Sequence, residues 1–213
     1  TSTLDEELHP LIEEILGYCL IPDTRFEKAI LLTGAGANGK SVFLNMLNAL
    51  LGPDQVCHAG WQELEEHRFT LAQLYGKLAD LFADVDSRAL RSTSMFKQLV
   101  AGDPLLAERK FGAQFTFRPF AKLIFSANRL PTSRDLSYGF FRRLIIVPFT
   151  RTFSGADADH DLTRKLTGEL PGIFLRALSG LQRLYRHEGF TQSRLTRRAT
   201  EQYEQEVDTV VSF

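Results

Sequence analysis

Gly34-Ala35-Gly36-Ala37-Asn38-Gly39-Lys40-Ser41 is the stretch on which the fold of this chain turns. It fits G-x-x-x-x-G-K-[ST], and its flanks supply the context that the pattern needs. Before it, Ala29-Ile30-Leu31-Leu32-Thr33 is a continuous apolar run, the mark of a buried strand. After it, Phe43, Met46, Leu47, Leu50 and Leu51 recur at helical spacing from Lys40 to Leu51, and Gly52-Pro53 supplies the stop. Glycines let backbone N–H groups wrap phosphate oxygens without Cβ clashes, and the start of the helix adds its positive dipole end. The stretch therefore predicts an ATP site over Gly34, Ala35, Gly36, Ala37, Asn38, Gly39, Lys40, Ser41 and Val42. Lys40 would reach the β- and γ-phosphates, and Ser41 would ligate Mg²⁺.

Working outward, apolar runs at Leu78–Ala83, Ala121–Ala127 and Leu144–Phe149 read as further buried strands, with a weaker candidate at Val56-Cys57. Met95–Ala101 reads as a helix and Leu105–Phe117 as a hairpin turning near Gly112. Ile173, Phe174, Ala177, Leu178, Leu181, Leu184 and Tyr185 form the stripe of a C-terminal helix. Residues 4–20 also have helical spacing, and Pro10 is expected to divide them into two short helices. Strands alternating with helices predict an α/β fold, a mostly parallel sheet with helices on its faces. The expected organisation is a helical leader over 1–24, a core over 25–155 and a helical segment over 156–213.

The 213 residues are 44% hydrophobic and 24% charged, with a net charge of −1. This excludes a disordered tail and a disulfide miniprotein, and disfavours a protein that coats nucleic acid over its whole surface. Cys19 and Cys57 lack metal-site spacing and read as reduced core thiols of a cytoplasmic protein. No apolar run approaches the ~20 residues of a membrane helix. The chain opens Thr1-Ser2-Thr3 without methionine, so it is expected to be a piece of a longer protein.

Three further constellations carry chemistry. Asp84 and Asp86 follow the second strong strand at the carboxyl edge, where ligand chemistry sits in open α/β sheets. Asp84 suits the metal side and Asp86 the attacking water, although aspartate also caps helices. Asn128 follows another strand and suits the water or the γ-phosphate, although Asn also begins turns. Arg142 and Arg143 precede the last strand, where they solubilise it or, in an oligomer, reach the γ-phosphate held by a neighbour.

The order of these blocks resembles the superfamily III helicases, in particular the phage and plasmid primase-helicases related to those of poxviruses. The resemblance lies in Gly36–Ser41, Leu74-Tyr75-Gly76-Lys77, Ala101-Gly102-Asp103-Pro104 with Glu108-Arg109-Lys110, Ala121–Pro131 and Gly139–Leu144, and extends to Gly189-Phe190-Thr191. It implies an AAA+-type sheet of order 5-1-4-3-2 and ATP-driven unwinding of single-stranded or forked DNA by a ring, usually a hexamer. A primase domain would lie upstream in the parent protein, which would serve replication of a mobile element. By the same resemblance Asn128 matches the sensor and Arg142 and Arg143 the arginine-finger region. Arg109, Lys110, Phe111, Gly112 and Gln114 fall at a hairpin facing the ring channel, where a cation beside an aromatic suits a single strand. The family often carries two adjacent acids where this chain has Ala83-Asp84, which leaves the general base open between Asp86 and water positioned by Asn128.

Two other readings compete. A P-loop small-molecule kinase would use the paired arginines as a phosphate clamp but leaves the basic hairpin without a role. A non-unwinding ATP-binding module for DNA loading or oligomerisation would hydrolyse poorly. No Asn-Lys-x-Asp segment occurs, which disfavours a GTPase. Finally, residues 1–29 hold seven acids against two bases, and residues 87–122 seven bases against two acids. This pattern predicts that the neutral total is a cancellation between an acidic leader and a basic channel segment.

Overall fold

Ala29 to Leu32 are buried in succession because the strand they form has neighbours on both sides and helices over both faces. The computed structural model describes residues 4–87, 90, 92–133 and 135–211; Arg88 and Arg91 of the basic segment lie outside the described residues. The strands are β1 (Ala29–Thr33), β2 (Val56–Cys57), β3 (Ala79–Phe82), β4 (Leu105–Glu108), β5 (Gln114–Phe117), β6 (Lys122–Ala127) and β7 (Leu144–Pro148). Five of them form a parallel sheet in the order β2-β3-β6-β1-β7, while β4 and β5 pair antiparallel as a separate hairpin. Numbered alone and read from the β7 edge, the five parallel strands run 5-1-4-3-2.

The helices are α1 (His9–Cys19), α2 (Lys40–Leu51), α3 (Trp61–Glu66), α4 (Arg68–Leu71), α5 (Ser94–Ala101), α6 (Tyr138–Phe141), α7 (Leu162–Gly168), α8 (Leu170–His187) and α9 (Arg194–Val211). The twofold alternation of strand side chains splits the core into two layers. Ile30, Leu32, Ile124 and Val147 meet α1, α2 and α8 on one face. Leu31, Phe125 and Ile146 meet α3, α5 and α9 on the other, where Trp61 stacks on Phe96 with centroids 4.6 Å apart. Among the described residues no helix is long and apolar enough to cross a membrane.

The described N-terminal residues, from Leu8 through α1, are built into this core. A short 3-10 helix at Glu6–Leu8 precedes α1, and Pro10 sits in the first turn of α1, just after this division, where the missing N–H costs no helical hydrogen bond. A Cβ at Gly17 of α1 would lie 2.4 Å from the Ala177 carbonyl of α8, and one at Gly180 would lie 2.2 Å from the Glu13 backbone. Only glycine permits this approach. Beside it the fully buried Glu14 accepts from Arg183 Nε at 2.7 Å, from the Thr191 N–H at 2.7 Å and from Thr191 Oγ1 at 2.6 Å. Phe190 packs edge-on against Tyr18 and Phe26, so Gly189-Phe190-Thr191 ties the end of α8 to the leader.

Asp80 is the carboxylate of the sheet interior. Its Oδ1 accepts from the Ala59 N–H at 2.8 Å, and its Oδ2 is buried without a hydrogen-bond partner among the described residues. Burial pushes its pKa up to about 7. The folded chain thus keeps a proton that the unfolded chain, with its carboxyl near ~4, releases, and stability falls as pH rises across that window. Asp80→Asn, which is neutral at every pH, is expected to raise the melting temperature at pH 8 by more than at pH 5. Equal shifts at the two pH values would refute this origin.

Candidate nucleotide site

The loop between β1 and α2 closes around Lys40. The Lys40 side chain is buried, and its Nζ donates to the Gly34 carbonyl at 2.5 Å, to Asn38 Oδ1 at 3.2 Å and to Asn128 Oδ1 at 3.3 Å. Burial holds its pKa below the ordinary lysine value, an effect that the nearby Asp84 opposes. Gly34 has φ +153°, and a Cβ there would meet Asn38 Nδ2 at 2.2 Å and the Phe149 carbonyl at 2.4 Å. The loop is stitched to the chain leaving β7, since Asn38 Nδ2 donates to the Phe149 carbonyl at 3.2 Å and the Phe153 N–H to the Ala37 carbonyl at 2.8 Å.

A cavity of about 540 Å³ opens at the start of α2, lined by Gly36 to Val42, Asp84 and Asn128. Gly34 and Ala35 are not part of its lining. Asp84 reaches it because the chain turns sharply after β3, with φ +57° at Asp84. The turn is fixed by the Asp84 N–H to Ser126 Oγ at 3.4 Å and by the Val85 N–H to the Ser126 carbonyl at 2.8 Å. Asn128 stands one residue past β6, so β1, β3 and β6 each deliver a polar group to one edge of the sheet.

Phe153, Asp157, Ala158, Asp159 and Leu162 supply the opposite wall, which sequence reasoning missed. These residues run from the loop after β7 to the first residue of α7 with no apolar period, and the hydrogen bond from Phe153 that draws them in is a backbone one. Asp159 is fixed by Lys165 Nζ at 2.6 Å, and that bond lowers its pKa. Among the lining residues Lys40 is the one cation, against Asp84, Asp157 and Asp159. A polyphosphate in this cavity would need further positive charge, and Ser41 and Asp84 offer the hard oxygen donors that suit Mg²⁺.

The remaining candidates lie elsewhere. Asp86 is not among the lining residues, and its carbonyl accepts from Gln62 Nε2 at 3.1 Å. Arg142 and Arg143 pair with Glu27 of the same chain, at 2.5 and 3.2 Å, and neither lines the cavity. At the hairpin, Arg109 lies over the rings of Tyr75 and Phe115, and Lys110 over that of Phe111. Phe111 is 97% exposed with φ +62°, and Gln114 donates to Glu108 at 3.3 Å. The glycine-rich loop, the arginines and the hairpin tip thus form three separate places on one chain.

Residues 32–143, more than half of the chain, match the DUF5906 profile, described as a family of unknown function. The chain belongs to the DUF5906 family. The matched span of this DUF5906 chain runs from within β1 to Arg143 and so includes the glycine-rich loop around Lys40, Asp84, the hairpin, Asn128 and both arginines. A protein of Acanthamoeba polyphaga mimivirus named "Putative helicase L207/L206" is 28% identical, aligned over 98% of this chain and 24% of its own length. An apo structure of the A form of the NrS-1 C-terminal region superposes with a TM-score of 0.67 at 14% identity, over 91% of this chain and 46% of that one. A second apo structure of that region gives 0.66 at 14% identity, over 91% and 47%. These likenesses show the fold. The chain spans about a quarter of the mimivirus protein and just under half of the NrS-1 chains.

Proposed function

We propose that this chain is the ATPase motor of a DNA helicase of the superfamily III type, an AAA+-like module that hydrolyses ATP between neighbouring copies in a ring, usually a hexamer. The reading rests on one observation above all: Lys40, Asp84 and Asn128 converge on a single cavity at the start of α2, while Arg142 and Arg143 stay outside it. The name of the mimivirus relative and the order of the sequence blocks support it.

In this reading the backbone of the loop and Lys40 hold the phosphates, with the ammonium exchanging carbonyl and amide oxygens for phosphate oxygens. Ser41 and Asp84 would hold Mg²⁺, which neutralises charge on the phosphates when bound. Asn128 orients the attacking water, since it lines the cavity and touches Lys40, whereas Asp86 is not among the lining residues. Arg142 and Arg143 act on the nucleotide of the adjacent copy, which accounts for their distance from their own cavity. A kinase clamp would need them inside it. The helical leader over 1–24 and the segment over 156–213 flank a core over 25–155, and an upstream primase domain belongs to the parent protein.

ATP turnover measured with and without single-stranded DNA tests the whole reading. Stimulation by DNA is the expected result; turnover that ignores DNA would favour the kinase, and none at all the passive module. Arg109, Lys110, Phe111 and Gln114 at the hairpin are the proposed contacts to the strand. Lys110→Ala should weaken single-strand affinity and reduce the slope of log affinity against log salt by ~0.7, the share of one phosphate contact. An unchanged slope removes Lys110 from the interface.

A further inference from the structure

Glu27 has an unusual backbone for its residue type. Its φ is +47°, in a turn closed by its own N–H donating to the Thr24 carbonyl at 2.7 Å. A glycine would adopt that conformation without strain, so the side chain must bring something that outweighs the cost. What it brings is a carboxylate between two guanidinium groups. Oε2 accepts from Arg142 Nη2 at 2.5 Å and lies 3.2 Å from Arg143 Nη2.

The next residue works on the same loop, with Lys28 Nζ donating to the Arg142 carbonyl and the Ala29 N–H to the Arg143 carbonyl at 2.8 Å. Three cations, Lys28, Arg142 and Arg143, therefore crowd one carboxylate. Burial and then the two arginines hold the Lys28 pKa below its ordinary value. Without Glu27 the cluster would be purely repulsive.

Such a partly exposed ion pair contributes little to stability, and less still on strained backbone. Its direction is the informative part. The two arginines are not equivalent: Arg143 is 12% exposed and its Nη1 also donates to the Gly139 carbonyl at 2.5 Å, while Arg142 is 37% exposed and anchored by Glu27. The geometry points to Glu27 as a positioning residue for the arginine pair, with Arg143 as an internal brace and Arg142 as the guanidinium presented to the nucleotide of an adjacent copy. This inference rests on the trans-acting reading proposed above and assigns the roles within it.

The test uses Glu27→Gln, which keeps shape and loses charge, and Glu27→Asp, which keeps charge and shortens the reach. The two are compared with Arg142→Ala. Loss of aim at a reacting phosphate is expected to lower kcat of Glu27→Gln by ~10–100-fold, with KM for ATP unchanged because the cavity of the same chain is intact. Glu27→Asp should lie between Glu27→Gln and the unsubstituted chain, and all three should melt as the unsubstituted chain does. Mixing Glu27→Gln with Lys40→Ala, whose Glu27 and arginines are intact, should recover turnover, as it should for Arg142→Ala.

Wild-type or increased kcat in Glu27→Gln overturns the inference. So does a loss that Lys40→Ala does not recover while the Arg142→Ala loss is recovered. If neither loss is recovered at any mixing ratio, the trans-acting reading itself falls, and the inference with it.

Discussion

Lys40→Ala is expected to lower ATP turnover by ~10²–10³-fold, the scale of removing one preorganised charge from a water-poor site. The cavity makes the loss hard to compensate. Lys40 is the one cation among its lining residues, and three carboxylates share that lining. Apart from the backbone N–H groups at the start of α2 and the Mg²⁺ proposed at Ser41 and Asp84, the lining has nothing else to balance phosphate charge. The oxygens that Lys40 contacts, from Gly34, Asn38 and Asn128, face a cavity that water can enter, so the variant should still fold. Turnover measured at saturating ATP, with circular dichroism as the check on folding, decides the matter. Wild-type turnover would remove the phosphate-loop assignment.

The larger effect is expected at the arginines. Arg142→Ala should cost ~10³–10⁵ in kcat, the range of a guanidinium that stabilises charge developing on a transferred phosphoryl group. ATP affinity should change far less, because Arg142 is absent from the cavity of its own chain. Arg143→Ala should cost less if its part is to brace, since its Nη1 is engaged by the Gly139 carbonyl. Nucleotide binding followed separately from turnover distinguishes this from damage to the cavity. Equal losses in binding and turnover would place Arg142 in its own site instead.

Much of this arrangement was legible in the residues, for identifiable reasons. The strand, loop and helix around Lys40 combine a run of buried aliphatics, glycines and a helical period, three signals that agree. The hairpin at Leu105–Phe117 and the helix before Gly102 were equally plain. Helix α9 was not read separately, because its buried stripe is thin: Thr196, Tyr203 and Val207 among many charges. Tyr203 nevertheless donates to the Pro131 carbonyl at 2.7 Å and helps lay α9 along the sheet. The wall from Phe153 to Leu162 left no trace in periodicity, since a backbone hydrogen bond holds it.

Charge has a spatial arrangement that the count along the chain does not show. Three of the leader's seven acids are engaged close by. Glu7, Glu13 and Glu14 pair with Arg194, Arg176 and Arg183 of α8 and α9, a cancellation within the helical layer. Composition counts charges along the chain, but Coulomb interactions follow distance in space.

The same bookkeeping has a consequence at the hairpin. Within the described part of the basic segment, Lys97 pairs with Asp135, Arg118 donates to the Gly102 carbonyl, and Lys122 is buried on the Ile21 and Phe120 carbonyls. That leaves Arg109 and Lys110 beside the exposed Phe111. On the proposed reading the hairpin tip of one copy offers two cations to the strand, too few by themselves for a firm hold at physiological salt. Grip then becomes a matter of avidity: each further copy on the same strand binds at a high effective concentration, and a partly assembled ring should release the strand that a complete one retains.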